Sequence, residues 1–472
     1  QYAQSADIMW LVHPNRKPRK LLRTGTNAFQ MIEFDQSLVT TERRDAWPYL
    51  ARNTTATTMI FGSLVIGDET TLTSSTAYFF PTHVGAMFKM ESGSNDGCAI
   101  VTGYTNATVV TVRVVQTIPS AAALTTWWES AWSDYRGWPR TVCFYRARLA
   151  YGGNATSPDV IWFSQDSDYN QLSDASSVTP YVSTIASDAF AIQLLSDQLN
   201  LIQWMSPEKS LAVGTTGDEW LIDLEVPSSS TGFGFSNSAA IKQTSYGSAF
   251  TPAIRVGNEL IFAQADEEEL RSFIFNFQED SFIAEPIQTF YDEFPYPDDN
   301  ATYNGNRKIR GFHWDKSRST LWCHDTSGKW RALTRERRLG VNLWTSHELG
   351  GFNSTVVGAA LGSPATVDPV YINPTGSVVS MCILPNIETR QQDVWMVVYR
   401  KVNSTFRFYL EKINGKGNVS LSSAYGRGYS HANIFAHTDC SFWGYSEYPA
   451  AEDYSFANLS HLEGETPVGT AR

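Results

Sequence analysis

Apolar and polar residues alternate with period two, or run apolar over short stretches, along most of the chain. Examples are "TVVTVRVVQT", "TVCFYRARLAYGG", "DVIWFSQ", "SLAVGTTGDEWLI", "ELIFAQ", "STLWCHDTSGKWRALT", "DVWMVVYRKV" and "FRFYLEKI", separated by turns bearing Gly, Asn, Asp and Ser. Side chains of a strand point alternately to its two faces, so this pattern predicts β-hairpins with one or both faces buried. Two hairpins overlay directly. Leu211 to Trp220 and Leu321 to Trp330 each read apolar strand, polar turn, Trp strand, at the same spacing. With similar hairpins near 145–163, 255–277 and 392–412 they form a series spaced by about 55–65 residues, which predicts propeller blades with long excursions rather than a sandwich. The expected fold is mainly β, with propeller-like antiparallel sheets.

Three stretches depart from that rhythm. Over 55–118 the chain is rich in Thr, Val and Gly and poor in charge, which predicts a small inserted β-barrel. The predicted organisation is therefore 1–50 as the first strands of the propeller-like domain, 55–118 as the insertion, 119–415 as the remaining propeller-like sheets and 416–472 as a C-terminal β segment. Ser120 after Pro119, Trp128 and Trp132 four apart, and Gly137 predict one helix over "AAALTTWWESAWSDY". Asp266, Glu267, Glu268 and Glu269 lie between two strand patterns and predict an exposed acidic hairpin tip.

With 472 residues the chain has room for a large core, and aromatics make up 13% of it, which suits sheets packed face to face. A net charge of -12 argues against a protein whose task is to grip phosphate, which needs uncompensated Lys and Arg. The five cysteines at 98, 143, 323, 382 and 440 form no CxxC pair, so neither a disulfide framework nor a zinc site is expected. Apolar runs such as "TMIFGSLVIG" stop short of the roughly 20 residues of a spanning helix. Sequons at Asn53, Asn106, Asn154, Asn300, Asn353, Asn403, Asn418 and Asn458 are ordinary for a chain rich in Asn, Ser and Thr.

Catalytic patterns fail one after another. There is no GxSxG elbow and no phosphate loop, His347-Glu348 has Gly351 where HExxH needs its second His, and "TGFGFSN" has Asn237 in place of a third glycine. Glycoside hydrolysis needs only two carboxylates facing across a cleft; Asp218-Glu219, Asp298-Asp299 and Asp325 are the candidates, each also explained as hairpin-turn chemistry. "HDTSGKW" resembles the Asp-box turn of sialidase propellers in Asp325, Gly328 and Trp330, with the glycine one place late. His431, His437, Asp439 and Cys440 form the densest metal-type cluster, more simply read as a polar loop. Cys323 and His324 share a strand and so face opposite ways. No enzyme activity, metal or cofactor is expected.

The chain opens "QYAQSADIMWLVHPNRKPRKLLR", where Arg16, Lys17, Arg19, Lys20 and Arg23 follow an apolar run. Pro14 and Pro18 bracket the basic residues and predict an extended loop whose charges meet water or carboxylates. This segment resembles the Q-S-A-D-x-hydrophobic-x-V-H-P-x-x-P-x-R-K-L-x-R segment of the tail nozzle proteins of short-tailed bacteriophages, the tail tubular protein B group. "WWESAWSDYRGWPRTVCFYRARLAYGG" followed by "VIWFSQDSDYNQL" is similar to that group's W-x-E-S-A-W-S, G-x-P and W-x-S segments. "LIQWMSPEKSLAVGTTGDEW", "YGSAFTPAIRVGNELIFAQ" and "SHLEGETPV" resemble further landmarks in order.

The resemblance implies a virion protein of the phage tail, a homohexameric nozzle ring whose axial channel passes the double-stranded genome. Its partners would be further copies of itself, the portal-side adaptor proteins and tail fibres or spikes. The family opening usually follows an N-terminal domain and the family ending usually leads into more strands, so the chain is expected to be part of a longer one. Residues falling on its landmarks are His13, Pro14, Arg19, Arg23, Trp132, Gly137, Pro139, Trp162 and Trp220. An acidic or neutral wall suits a conduit, since every phosphate contact resists sliding; Asp266 to Glu269 are candidates to line it. The competing reading is a receptor-binding or glycan-processing β-propeller tail protein.

Overall fold

Outside one inserted sheet, successive strands within each sheet pair with their sequence neighbours as antiparallel meanders. The computed structural model describes residues 1–34, 48–172, 185–224, 233–287, 308–326, 328, 330–347, 377–386, 391–402 and 405–413. The segment 416–472, with His431, His437, Asp439 and Cys440, lies outside them, as do Asp298, Asp299, Glu348 and Gly351. Among the described residues the structure is nearly all β, with three short 3-10 turns and no α-helix.

The first sheet is a four-stranded antiparallel meander of β1 (Tyr2–Ser5), β2 (Ile8–His13), β3 (Arg16–Gly25) and β4 (Ala28–Glu33). The predicted loop over the basic run is thus corrected: from Arg16 the chain is a strand. Pro18 is tolerated because the β2–β3 ladder breaks register between Leu11 and His13, and its carbonyl still accepts the Phe34 N–H at 3.0 Å. Ala3, Trp10, Val12 and Phe34 bury one face of the sheet.

The insertion follows with β5 (Met59–Phe61), β6 (Glu69–Ser74), β7 (Met87–Ser92), β8 (Asn95–Asn106), β9 (Val109–Gln116) and β10 (Trp127–Glu129), in the order β10-β7-β8-β9-β6-β5. The sheet curls on itself: Met59 at one edge exchanges backbone hydrogen bonds of 2.9 and 3.0 Å with Leu124, just before the strand at the other edge. Met59, Leu72, Phe88, Val110 and Val112 fill its interior. The predicted helix is overturned here, and the sheet runs past residue 118 to Glu129. Trp127, Trp128 and Glu129 pair with β7, and instead of sharing a helix face the tryptophans of this segment part, Trp127 entering the barrel core and Trp132 the neighbouring core. A free sheet edge and bulky aromatic residues outweigh a weak helix preference. The chain enters and leaves the insertion as a paired stalk: Leu50 N–H to Glu129 O at 2.8 Å, Asn53 N–H to Trp127 O at 2.9 Å and Ala131 N–H to Pro48 O at 2.7 Å.

Four further meanders follow: β11 (Thr141–Tyr145), β12 (Arg148–Gly152), β13 (Val160–Phe163), β14 (Phe190–Gln193); β15 (Ile202–Pro207), β16 (Leu211–Thr215), β17 (Glu219–Leu224), β18 (Ser238–Thr244); β19 (Ile254–Val256), β20 (Glu259–Ala263), β21 (Leu270–Asn276), β22 (Ser281–Pro286); and β23 (Ile309–Asp315), β24 (Thr320–Asp325), β25 (Trp330–Glu336), β26 (Val341–His347). Strands β27 (Ser377–Pro385), β28 (Gln392–Val402) and β29 (Thr405–Ile413) make a three-stranded sheet. Repeated four-stranded antiparallel meanders are the blade architecture of propellers, and the fold is propeller-like with a small barrel inserted after the first blade. The two overlaid hairpins are the second and third strands of their blades, with Leu211 and Leu321 fully buried and Trp220 and Trp330 nearly so.

By compactness the chain divides into two units, 1–253 with 275–284, and 254–274 with 285–472. In the first, Trp132 packs edge-on against Trp162 at 5.6 Å and Tyr151 at 5.0 Å. Arg148 is 1% exposed, stacked over Phe190 and donating to the carbonyls of Ser164, Ala186 and, at 2.7 Å, Asp188. In the second, Trp322, Trp330, Val378, Met381, Val394 and Met396 share a core.

Gly137 closes the turn after Trp132 at φ +90°, and a Cβ there would sit 2.8 Å from the Cβ of Ala155. Strain and clash add, so Gly137→Ala is expected to cost about 2 kcal/mol, read as a lowered denaturant midpoint with unchanged slope.

Candidate functional site

The residues at the exit of the insertion assemble a buried ionic joint. Glu129 is placed by β10 and is 2% exposed. Arg136, in the turn ending at Gly137, grips it with two nitrogens, Nε donating to Oε1 at 2.9 Å and Nη2 to Oε2. Tyr78 OH donates to Oε2 at 2.5 Å and accepts from Arg136 Nη2 at 3.2 Å. His83 is fully buried and its Nδ1 accepts the Phe80 N–H at 2.9 Å. That pattern assigns Nε2 as the ring's donor, 3.5 Å from Glu129 Oε1. The Tyr135 ring lies over His83 with centroids 4.1 Å apart.

Burial pushes the Glu129 carboxyl up, and the hydrogen bonds from His83, Arg136 and Tyr78 outweigh it, holding the group below its ordinary range. Tyr78 is raised by burial and by the Glu129 carboxylate, so it stays a neutral donor. Every donor at this carboxylate is supplied by the fold. Such an arrangement fixes two pieces of chain against each other, here the barrel and the strand leading into β11. Ser130 extends it, its Oγ accepting from Met87 N–H at 3.1 Å and donating to Trp132 O at 3.1 Å.

The family-landmark residues fall in three places. Trp132 and Trp162 lie in the core beside this joint, and Gly137 and Pro139 follow Arg136 along the chain. Asn154, one of the sequons, is fully buried there, donating from Nδ2 to Ala131 O at 2.8 Å. His13, Pro14, Arg19 and Arg23 lie apart, on the β2–β3 hairpin. His13 is exposed at its tip, with Pro14 beside it in the turn; Arg19 pairs with Glu33 at 2.9 Å and Arg23 with Asp7 at 3.7 Å. Trp220 lies on β17. Asp266 to Glu269 form the β20–β21 tip, where Glu267 faces Lys308 at 3.5 Å and Glu269 faces Arg271 at 2.9 Å.

Of the carboxylates considered for hydrolysis, Asp218 and Glu219 are engaged by neighbouring side chains of the fold. Asp218 accepts from Ser196 Oγ at 2.8 Å, Asn200 Nδ2 at 2.6 Å and Lys242 Nζ at 2.8 Å. Glu219, fully buried, holds Ser248 Oγ at 3.0 Å and Thr244 Oγ1 at 2.5 Å, and burial raises its pKa. Asp325 is 1% exposed. His324 and Cys323 are both buried, and His324 stacks on His313 with rings 6.3 Å apart; burial depresses these histidines to about 3 and about 4. Among the described residues no three His, Cys, Asp or Glu side chains come together as a metal site.

A second buried pair lies in the other unit. Glu259 receives Arg335 through Nε and Nη2, both at 2.6 Å, with Arg337 at 3.6 Å and Ser272 Oγ on the same carboxylate. Burial alone would raise Glu259, but Arg335 and Ser272 bring it below its ordinary value. A depressed carboxyl contributes stability in full above its unfolded pKa and loses it as pH falls through the folded value. Glu219 has the opposite sign, contributing less as pH rises between the unfolded and folded values. With Glu129, Glu259, Asp218 and Asp223 all depressed, the melting temperature is expected to fall steadily as pH drops below about 4. Glu259→Gln should flatten that slope in thermal scans between pH 7 and 3.

No family model matches the chain, and no curated protein matches it. Similar solved structures include Hsv2 of Kluyvelomyces marxianus, at 8% identity and TM-score 0.30, covering 73% of this chain and 72% of that one. Sqt1 of Chaetomium thermophilum matches at 10% identity and TM-score 0.28, over 78% of this chain and 84% of its own. A Lactobacillus plantarum protein matches at 10% and 0.29, over 75% and 94%. Overlaps this loose bear on neither site nor partners.

Proposed function

We propose that the chain is a structural, non-enzymatic component of a bacteriophage virion tail: a nozzle or tail-tube protein whose copies close into a six-membered ring around the path of the genome. One observation carries the reading. The W-x-E-S-A-W-S and G-x-P residues that resemble the tail nozzle pattern supply the joint's carboxylate and flank it, with Glu129 locked to Arg136, Trp132 against Trp162 and Gly137 against Ala155. A motif spent on fixing one body to another suits a part that must hold shape while a polyanion slides past. The chain's acidity suits a wall that does not retain phosphate. The partners under this reading are further copies of the chain, portal-side adaptor proteins, and fibres or spikes; no cofactor is involved.

Native mass measurement of the purified protein tests the reading. Six copies per particle are expected. A monomer that binds or cleaves oligosaccharides would overturn it in favour of the glycan-directed tail protein.

A further inference from the structure

The first sheet buries only one of its faces. Opposed residues of antiparallel strands share a face, so the ladder can be read across as rows. On the inner side Ala3, Trp10, Lys20 and Ile32 form one row, and Ala3 and Trp10 enter the core. On the outer side Tyr2, Leu11, Arg19 and Glu33 form a row, then Gln4, Met9, Leu21 and Met31, then Arg23 beside Phe29. Six of these outer residues are large and apolar. Tyr2 is 66%, Phe29 63% and Met31 53% exposed, with Met9, Leu11 and Leu21 partly so. A contiguous apolar sheet face with a charged rim is the anatomy of an interface.

The rim points to the occupant. Residues 1–34 carry five basic side chains against two acidic ones, Asp7 and Glu33, on a chain whose net charge is -12. Arg19 and Arg23 are answered by those two carboxylates, whereas the side chains of Arg16 and Lys17, at the hairpin tip, make no hydrogen bond or ion pair with any of the described residues. The sheet is a cationic island on an acidic molecule. We infer that its outer face is one half of a head-to-tail contact and docks on the acidic surface of a second copy of this chain. Unlike patches meeting in this way make a heterologous interface, the kind that closes into a ring. The inference rests on the ring reading above and adds which surface makes the contact.

The experiment compares the full chain with two variants, Phe29→Asp/Met31→Asp on the apolar rows and Arg16→Glu/Lys17→Glu on the rim. Arg16, Phe29 and Met31 are exposed and Lys17 is partly so, and melting temperatures matching the unaltered chain certify folding. Sedimentation across a dilution series should show the first variant monomeric where the unaltered chain is assembled. The second should assemble only at about tenfold or more higher concentration. Added salt should weaken assembly of the unaltered chain more than that of the rim variant. Variants that assemble like the unaltered chain overturn the inference and leave the ring intact. An unaltered chain that stays monomeric overturns the ring reading itself. Assembly intact, with duplex DNA binding lost in Arg16→Glu/Lys17→Glu by fluorescence anisotropy, assigns the rim to nucleic acid and also overturns it.

Discussion

Glu129→Ala is expected to lower the unfolding free energy by about 3 kcal/mol. The carboxylate is the acceptor for Arg136 and Tyr78 and faces His83. Its removal strands a guanidinium and a phenol that have been taken out of water. Arg136 keeps 20% of its side-chain surface exposed and can partly rehydrate, which places the cost at the lower end of the range for broken buried pairs. Tyr78→Phe removes one donor and leaves the ion pair, so about 1 kcal/mol is expected. Because both changes act on one carboxylate, the double variant should cost less than the sum of the singles. Equilibrium denaturation of the three variants measures this, and strict additivity would show that the joint is not a coupled network.

Trp132→Ala should cost about 4 kcal/mol. The side chain is fully buried between Tyr151 and Trp162, and its indole N–H has no acceptor among the described residues. That second fact separates size from polarity. Trp132→Phe keeps a ring in the slot and removes an unsatisfied donor, so it should cost only about 1 kcal/mol. Equal losses for the two variants would mean that the indole nitrogen has a partner and that the cavity argument is incomplete.

The strands were legible because their period-two pattern and bounding turns are local properties. The repeat was legible in the matched hairpins ending at Trp220 and Trp330. Two local signals misled. Trp128 and Trp132 stand at helical spacing, but their segment pairs with β7, a partner some forty residues earlier that no local window contains. Pro18 reads as a strand breaker, yet it falls where the β2–β3 ladder slips register and needs no donor. The joint was half legible. Glu129 lies inside a landmark motif, and a carboxylate between Trp128 and Trp132, with Arg136 following, is a visible signal of buried pairing. Tyr78 and His83 come from across the barrel and could be found only through the fold.

Under the proposed nozzle reading, copies of a sheet-built subunit, stiffened by a locked barrel, line a path through which DNA slides without being held. Reconstruction of the assembled particle by electron microscopy tests it most directly. A six-fold ring is expected, with a bore wide enough for a double helix and an inner wall that is acidic or neutral. A closed axis, or a bore lined mainly by lysine and arginine, would contradict it.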